Sequence, residues 1–515
     1  MELKNIIGKL DSKVLYILGN IINLLTFLGL IYINFSSADI WADEACTIQT
    51  VRHGFLSITQ LTGIDVHPPL YYYIVKLFCC LVPLSDEIMI GRIVSLLPYV
   101  ILWFVAAKYV VNKIGGLGII LPVCICQFYP IVSNFNEIRM YSWGMLFVTL
   151  AALLGVDISE DSSKSHWAGL IILSLAAAYT HYFALVAVFW VWIICELSNI
   201  RSFTFLKKWI IAGCLVFIGY LPWLFVLLRQ TQEVFTNYWI KDINFETIKN
   251  YFWYIYSTNV PYVAKLSYMF ILILLFYHIK KYKNIKIFQA GGYVLLPFIV
   301  IFCGVVISKI FRPVFMYRYI VPSLGTMAVG EILLIKNLQE KSKRCEPFLN
   351  TAVLVMFVII VSLNLRQSII KEKYYGASWN NLISAIEYIK KDRKATFIYI
   401  ENGQPLVRPF TVLWEDDTHL CENVNMSLYN QRLFGTKAYV GQKVYGPVFI
   451  VVNVDNEIRK YEKYLGVLCT SNGDYKVYYD GGYSGRDQEG RRSHCRDQRR
   501  LHTYGRGGCE DGKGG

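Results

Sequence analysis

The sequence predicts an α-helical polytopic membrane protein, with about 11 transmembrane helices and a small C-terminal extracytoplasmic α/β domain. Three observations lead to this fold class. The 515 residues are 55% hydrophobic and 17% charged, and the mean hydropathy is +0.39, which is too apolar for an ordinary soluble protein. Charges and turn residues divide the chain into apolar runs of roughly membrane-spanning length. Most lysines and arginines fall in short clusters between these runs.

About 11 apolar runs are candidate spans, because each approaches the ~20 residues that a helix needs to cross the bilayer. The runs lie near residues 15–35, 92–111, 115–133, 140–157, 166–182, 183–199, 209–228, 264–280, 289–308, 318–335 and 347–364.

The positive charges predict the orientation, because lysine and arginine are retained on the cytoplasmic side of a membrane. The clusters comprise Lys4, Lys9, Lys13, Lys108, Lys113, Arg201, Lys207, Lys208, Lys280, Lys281, Lys283, Lys286, Lys336, Lys341, Lys343 and Arg344. We therefore expect a multi-pass protein of the plasma membrane with a cytoplasmic N-terminus. With an odd number of spans, the chain after residue 364 lies outside. The formal net charge of +14 then belongs to cytoplasmic loops and does not indicate a nucleic-acid partner.

These boundaries divide the chain into three parts. Residues 1–364 form a membrane domain, and its first outer loop covers residues 36–91. Within that loop, the tyrosine-rich segment 68–78 is too short to span and begins with two prolines, which favours a helix lying along the interface. Residues 365–480 form the outer domain. Residues 481–515 are rich in glycine and arginine with few apolar side chains, so we expect them to be disordered.

The outer domain alternates helical and strand-like sequence. A helical stretch covers residues 379–391, and apolar, β-branched or aromatic runs follow at 395–400, 448–454 and 476–479. This alternation predicts a small α/β fold.

The first outer loop opens with Trp-Ala-Asp-Glu-Ala, in which Asp43 and Glu44 stand side by side. A carboxylate just beyond a membrane helix is partly shielded from water, which suits a general base. The same pair is also able to cap an interfacial helix. Asp65 and His67 follow in the same loop, and this second polar segment favours the catalytic interpretation.

With these two segments the chain resembles the protein O-mannosyltransferase-like branch of the GT-C glycosyltransferases, also described as glycosyltransferase family 39-like. That superfamily includes the lipid A aminoarabinose transferases and the Rgt-type sugar transferases. The resemblance is strongest over residues 38–92, recurs around 134–143, 180–182 and 316–322, and extends to the many-span layout. The motifs that carry it are Trp41-Ala42-Asp43-Glu44-Ala45 and Asp65-Val66-His67-Pro68-Pro69-Leu70-Tyr71-Tyr72.

The resemblance implies a membrane glycosyltransferase that moves a sugar from a polyprenyl-phosphate donor to an acceptor with inversion. It implies that Asp43 activates the acceptor hydroxyl or amine and that Glu44 supports it. The leaving polyprenyl phosphate needs positive charge, which Arg139 supplies at the start of the fourth run, because a guanidinium holds two phosphate oxygens at once. Anchoring to lipid headgroups, or a salt bridge with Glu137, is the alternative role of Arg139.

Two further residues are candidates for the donor phosphate. Related aminoarabinose transferases tend to carry a lysine at the position of His67, so His67 either binds phosphate or only fixes the loop through its ring nitrogens. Arg318 lies in a segment that resembles the family near the outer end of a late span. The candidates for other substrate contacts are Asp65, Glu137, Tyr71 and His181, and His181 also fits a packing role.

The expected partners are a polyprenyl-phosphate sugar, a cell-envelope acceptor (protein, lipid or polysaccharide) and the bilayer. A sugar-nucleotide donor is not supported, because the sequence contains no Gly-rich phosphate loop and no Asp-x-Asp arrangement. The cysteines do not have metal-site spacing, but a carboxylate pair is able to hold a divalent cation, so metal dependence stays open.

A transporter or lipid flippase is the competing function, and it predicts ionisable residues in the middle of several helices. The third possible function is that of a scaffold without catalytic activity.

Overall fold

The structure is a computed structural model of the chain. It describes residues 12–36, 40, 42–83, 86–199, 202–236, 240, 242–256, 267, 269–274, 276–277, 285–341, 346–390, 396–400, 420–421, 448–453, 467–472 and 475–480. The tail at 481–515, predicted to be disordered, lies outside these residues. The chain divides into two units, of which the first comprises Met1–Ser36 and Thr47–Lys371 and the second comprises Ser37–Cys46 and Glu372–Gly515.

Helices account for the regular structure described in the first unit. The early ones are α1 (Ser12–Ser36), α2 (Ala42–Arg52), α3 (Phe55–Ile64), α4 (Leu70–Leu81), α5 (Glu87–Val105), a π-helix (Ala106–Val110), α6 (Val111–Ile114), a 3-10 helix (Gly116–Ile120), α7 (Leu121–Ile125) and α8 (Tyr129–Asn134). The later ones are α9 (Tyr141–Glu160), α10 (Lys164–Ala178), α11 (Tyr182–Leu197), α12 (Phe203–Thr236), α13 (Phe245–Tyr254), α14 (Ile285–Ile310), a 3-10 helix (Tyr317–Ile320), α15 (Val321–Lys341) and α16 (Glu346–Lys390). Of these, α2 and α16 each extend across the division between the units.

Seven helical segments of the described residues are long and apolar enough to cross a membrane. They are Lys13–Ser36, Glu87–Ile114, Tyr141–Glu160, Phe203–Gln232, Ile287–Ile310, Tyr317–Glu340 and Leu349–Lys371, and each coincides with a run found by hydropathy. The chain is thus a mostly helical, multi-pass membrane protein. The count of eleven stays a prediction.

The predicted run at 115–133 is broken into three short pieces rather than one long helix. Gly115 ends α6 with a φ of 77°, a left-handed conformation that favours glycine and terminates a helix. Pro122 and Pro130 lie in the first turns of α7 and α8, where a missing N–H costs nothing. The runs at 166–182 and 183–199 form α10 and α11, which have 15 and 16 residues.

Close packing of α9, α14 and α15 forms the centre of the first unit. A Cβ added to Gly330 of α15 would overlap the backbone oxygen of Ala290 and lie 2.8 Å from the backbone nitrogen of Val294, both in α14. A Cβ on Gly325 of α15 would overlap the hydroxyl of Thr149 in α9. Glycine at these two positions therefore allows the three helices to approach one another closely.

Large apolar side chains cover the outer surface of the helices. Leu25 of α1, Phe225 of α12 and Phe302 of α14 are each more than 60% exposed. Exposed apolar faces on long helices are expected where lipid replaces water as the solvent.

The second unit contains a five-stranded sheet formed by β1 (Thr396–Ile400), β2 (Leu420–Cys421), β3 (Val448–Asn453), β4 (Val467–Asn472) and β5 (Tyr475–Asp480). The strand order is β2-β1-β3-β5-β4. β1 is parallel to β2 and β3, with Phe397 opposite Phe449, and β5 is antiparallel to β3 and β4. β1, β3 and β5 coincide with the strand-like runs of the sequence.

Helix α16 contains 45 residues, so the span predicted near 347–364 and the helical stretch predicted at 379–391 belong to one helix. No proline interrupts the residues between them, and proline is the strongest helix breaker.

Candidate active site

Asp65 and His67 lie in the turn between α3 and α4, which the backbone holds at both ends. The N–H of Asp65 donates to the carbonyl of Leu61 at 2.9 Å, and the N–H of Leu70 donates to the carbonyl of Tyr179 at 2.9 Å. This second bond ties the start of α4 to the end of α10. The turn is therefore fixed against the helix bundle and carries its polar side chains at a defined place.

Gln230 of α12 reinforces the same turn. Its Nε2 donates to the carbonyls of Thr62 at 2.8 Å and Gly63 at 3.2 Å, and also to the carbonyl of Asp65. Its Oε1 accepts a hydrogen bond from the hydroxyl of Tyr182. The side chain is 3% exposed, so one buried amide satisfies the carbonyls at the end of α3.

Arg139 lies in the tight turn between α8 and α9. Its side chain is 3% exposed, and the guanidinium donates from Nη1 to Oγ1 of Thr47 at 3.3 Å and from Nη2 to Nε2 of His67 at 3.3 Å. A buried guanidinium needs such partners, because removing a charge from water is costly. Arg139 thus joins Thr47 of α2 and the turn between α3 and α4 to the turn before α9.

The hydrogen bonds determine which nitrogen of His67 carries the proton. Arginine has no acceptor atom, so Nε2 of His67 accepts from Arg139. The proton of the neutral ring then lies on Nδ1, which donates to Oδ2 of Asp65 at 3.1 Å. Asp65, His67 and Arg139 form a continuous chain of carboxylate, imidazole and guanidinium.

This chain affects the ionisation of Asp65. Partial burial raises the pKa of Asp65, but the hydrogen bond with His67 and the nearby charge of Arg139 outweigh it, so the pKa is well below its ordinary value of 3.8. Asp65 is therefore an ionised hydrogen-bond acceptor near neutral pH.

His181 lies beside this chain as the N-cap residue of α11. Its Nδ1 accepts a hydrogen bond from the backbone N–H of Phe183 at 3.1 Å. The His181 ring centroid is 6.0 Å from that of His67 and 4.9 Å from that of Tyr319. His181 is buried and caps α11 at the edge of the site, with its ring packed against His67 and Tyr319.

Glu137 and Arg318 add charge near Arg139. Burial raises the pKa of Glu137, while the positive charges of Lys371, Arg318 and Arg139 act against this effect. Ser133 donates to Oε1 of Glu137 at 3.1 Å. Arg318 is half-buried in the 3-10 helix before α15. The structure therefore gathers several cations around the Arg139 turn.

The other predicted residues lie as follows. Asp43 and Glu44 lie in the first turn of α2, within the second unit. Tyr71 is fully buried in α4, and its hydroxyl is 2.9 Å from Oγ of Ser95 in α5. Tyr71 therefore faces a neighbouring helix in the core.

A cavity of about 400 Å³ begins at His67 and His181 and extends between α11, α12 and α14. Its lining is mainly apolar, with Arg312 as a further charged residue. Leu228 and Phe311 of the lining are more than half exposed, so the cavity reaches the apolar outer surface of the helices. It can take a molecule with an apolar tail and a polar end.

No cluster of three or more histidine, cysteine, aspartate or glutamate side chains forms a candidate metal site within the described part of the chain.

The fold and site can be compared with known proteins. At the level of sequence, neither a protein-family model nor a curated protein matches the chain. Two crystal structures of ArnT from Cupriavidus metallidurans match its structure over 92% of this chain and 99% of ArnT, with a TM-score of 0.57. One is the apo state, at 11% sequence identity, and the other is bound to undecaprenyl phosphate, at 10%. ArnT is a lipid A aminoarabinose transferase with a GT-C fold.

The chain therefore has the GT-C fold. This confirms the fold that the resemblance of residues 38–92 implied.

Several residues of the candidate site escaped the sequence analysis. Thr47 and Gln230 contact the Asp65–His67–Arg139 chain or its turn, and Tyr182 donates a hydrogen bond to Gln230. A glutamine or threonine near the end of an apolar run is common in helix-end sequences. Its position in the sequence therefore does not mark it as a site residue. The one available signal was Tyr182, next to His181 in a segment that resembles the family.

Proposed function

We propose that the protein is an integral membrane glycosyltransferase that moves a hexosyl or pentosyl group from a polyprenyl-phosphate donor to a cell-envelope acceptor. One observation carries the proposal: the buried Arg139, hydrogen-bonded to His67 and Thr47, with His67 lining a mainly apolar cavity of about 400 Å³. The fold supports it, because a protein with the same fold has been crystallised with undecaprenyl phosphate.

The proposal places the donor phosphate at Arg139, with Arg318 as a second cation. A fixed guanidinium stabilises the charge that develops on the leaving phosphate as the bond to the sugar breaks. The hydrogen bonds of His67 support the loop-fixing role, because both ring nitrogens are engaged, one with Asp65 and one with Arg139. His67 then acts by holding the guanidinium in position.

The apolar cavity suits the first part of the carrier chain. Its lining between α11, α12 and α14 offers apolar contact to isoprenoid units, while His67 and His181 mark the polar end. The rest of the tail stays in the bilayer, reached past Leu228 and Phe311.

The base is Asp43, with Glu44 as the supporting carboxylate. Asp43 takes the proton from an acceptor hydroxyl or amine, whose oxygen or nitrogen attacks the anomeric carbon. The bond from that carbon to the phosphate oxygen breaks, and polyprenyl phosphate leaves with the electron pair. Because the acceptor attacks the face opposite the leaving phosphate, the configuration of the anomeric carbon is inverted.

The proposal also includes the topology. The N-terminus is cytoplasmic, the chain crosses the plasma membrane about 11 times, and the reaction takes place on the outer face. The sheet-containing part at 365–480 lies outside the cell and shapes access for the acceptor.

A transporter is less well supported. That function predicts ionisable residues in the middle of several helices. Glu331 is a buried carboxyl near the middle of α15, and it accepts hydrogen bonds from Gln127 at 2.6 Å and Cys124 at 3.3 Å. These contacts link α15 to the broken segment around α7, which is a structural role.

The test is transfer by the protein purified in detergent, with polyprenyl-phosphate sugars as donors and a cell-envelope extract as acceptor. We expect transfer by the wild type and a loss of at least about 100-fold in Asp43→Asn, because an amide cannot accept the proton. Asp161→Asn is the matched control, since Asp161 is an exposed carboxylate at the end of α9. Full activity of Asp43→Asn would remove Asp43 from the mechanism, and binding of the donor without transfer by the wild type would contradict the function.

A further inference from the structure

A second cavity, of about 220 Å³, lies between α9, α14 and α15. Asp157 lines it and follows Tyr141 by 16 residues in α9, which places the two about 24 Å apart along the helix axis. Tyr141 contacts His181, at 5.2 Å between ring centroids. The second cavity is therefore separate from the Arg139 site.

Three buried polar atoms of its lining have unmet hydrogen-bonding capacity. Oδ2 of Asp157, the hydroxyl oxygen of Tyr109 and Oδ1 of Asn337 are all buried, and none has a hydrogen-bond partner among the described residues. The Asp157 side chain is 3% exposed. Buried polar groups are normally paired, and leaving one unpaired costs about 1–3 kcal/mol.

Other polar groups of the lining satisfy one another. Gln289 donates to the carbonyl of Gly155 at 2.9 Å and to Ser159 at 3.2 Å, and Asn199 donates to the same hydroxyl at 3.0 Å. The unmet capacity is thus concentrated at Asp157, Tyr109 and Asn337. Two of these three atoms are pure acceptors, so the cavity calls for a molecule that carries hydrogen-bond donors.

The charges define the molecule further. The lining carries the carboxylates of Asp157, Glu160 and Glu340 and the ammonium groups of Lys113 and Lys336, so one negative charge is in excess. Lys113 binds Oδ1 of Asp157 at 2.9 Å, which leaves Oδ2 directed elsewhere. A bound molecule should therefore carry a cationic hydrogen-bond donor for the acceptor atoms of Asp157 and Asn337. It should also carry an anionic group for Lys113 and Lys336.

The remaining wall is apolar, and it includes Leu153, Val156, Ile287 and Val329. Tyr109 belongs to the π-helix between α5 and α6, and single π-helical turns occur frequently at functional sites. An apolar wall beside paired charges fits an amphipathic molecule better than water alone.

From these observations we infer that this cavity binds the headgroup of a phospholipid that carries a primary ammonium group. The ammonium donates to Oδ2 of Asp157, Oδ1 of Asn337 and the hydroxyl of Tyr109. The phosphate lies near Lys113 and Lys336, and the first methylenes of the acyl chains contact the apolar wall. The site holds a structural lipid at the end of the bundle opposite to Arg139.

Lipid competition tests the inference. The purified, delipidated protein is titrated with phosphatidylethanolamine or with phosphatidylcholine of identical acyl chains, and native mass spectrometry measures the bound fraction. Choline has the same charge as ethanolamine but no N–H donor. We expect phosphatidylethanolamine to bind at least about tenfold more tightly, as one to two hydrogen bonds to charged groups would provide. Equal binding of the two lipids would overturn the inference, and so would tighter binding of phosphatidylglycerol.

Two variants locate the site. Asp157→Asn should reduce the preference for phosphatidylethanolamine to less than about threefold, and Tyr109→Phe should weaken its binding severalfold without changing that of phosphatidylcholine. Tyr109→Phe removes only a hydroxyl, so it keeps the test valid if Asp157→Asn does not fold. Asp161→Asn, four residues beyond Asp157 and outside the cavity, should behave as wild type. Retention of the full preference in both variants would overturn the inference.

Soluble phosphoethanolamine distinguishes the lipid from its free headgroup. At the concentration of the competing lipid it should not displace bound phosphatidylethanolamine, because it cannot use the apolar wall. Displacement would overturn the assignment to a lipid.

Discussion

Arg139 donates from Nη2 to Nε2 of His67 at 3.3 Å, although the two residues are 72 positions apart in the sequence. The guanidinium is a donor only, so the contact has a fixed direction: Arg139 donates to His67, and His67 donates to Asp65. A charged group that is aligned before substrate arrives does not need to reorganise during the reaction.

Lysine in place of Arg139 tests the importance of the guanidinium fork. Lysine keeps the charge but has a single nitrogen, so Arg139→Lys should lose the contact with either Thr47 or His67. We expect kcat/KM for sugar transfer to fall by about 10- to 100-fold, the equivalent of one hydrogen bond to a charged group. Arg52→Lys is the control, since Arg52 is partly exposed and paired with Glu87 at 2.7 Å. An unchanged kcat/KM in Arg139→Lys would contradict the role.

The lowered pKa of Asp65 predicts a pH-dependent contribution to stability. Because the folded pKa is below the ordinary 3.8, the ionised carboxylate stabilises the folded protein above that pH, and the contribution is lost as pH falls through the folded pKa. Asp65→Asn should therefore melt at a lower temperature than the wild type near pH 7, and the difference should shrink only below about pH 4. Thermal unfolding in detergent measures it. A difference that disappears between about pH 6 and pH 5 would instead indicate protonation of a histidine.

Gln230 should be important for the geometry of the turn after α3. Gln230→Leu removes donors to the carbonyls of Thr62, Gly63 and Asp65 and should reduce the free energy of unfolding by about 1–3 kcal/mol. Transfer activity should fall as well, because Asp65 loses its backbone support. Gln232→Leu, at an exposed position two residues later, should change neither property. Equal melting temperatures of the two variants would show that the amide contacts are not significant.

Two variants of His181 distinguish its role as the N-cap of α11 from a role in substrate contact. His181→Ala removes the acceptor for the N–H of Phe183 and should destabilise the protein by about 1 kcal/mol. Asparagine is a good N-cap residue, so His181→Asn should restore most of this stability. If His181 acts only in packing and capping, His181→Asn also retains activity. A stable but inactive His181→Asn would instead place the imidazole in contact with substrate.

Alanine should have opposite effects on stability at two glycines, one at the close contact of α14 and α15 and one at an open position of α12. Gly330→Ala would bring a methyl group against the backbone of Ala290 and Val294 and should destabilise the protein by about 1–3 kcal/mol. Gly213 of α12 has nothing within 4 Å of the position of a Cβ. Gly213→Ala should therefore stabilise the protein slightly, by about 0.5–1 kcal/mol. The melting temperatures of the two variants check both signs, and a stable Gly330→Ala would show that the helices can separate.

The sequence determined the fold class of this protein. Apolar runs of spanning length and the two motifs at residues 41–45 and 65–72 were enough to predict a helical membrane protein with the GT-C fold, because hydropathy and local motifs depend only on neighbouring residues. The strands at 396–400, 448–453 and 475–480 followed from local composition for the same reason. The role of Asp43 and Glu44 stays a prediction of the resemblance.

Only the tertiary structure decided which polar groups meet. The sequence singled out Asp65, His67 and Arg139 separately, but their hydrogen-bonded order depends on how the turn after α3 packs against the turn before α9. Gln230 and the second cavity gave no sequence signal, because their partners are distant in the chain. Hydrogen bonds between remote residues and cavities between helices arise from packing, and packing is a property of the whole bundle rather than of any one segment.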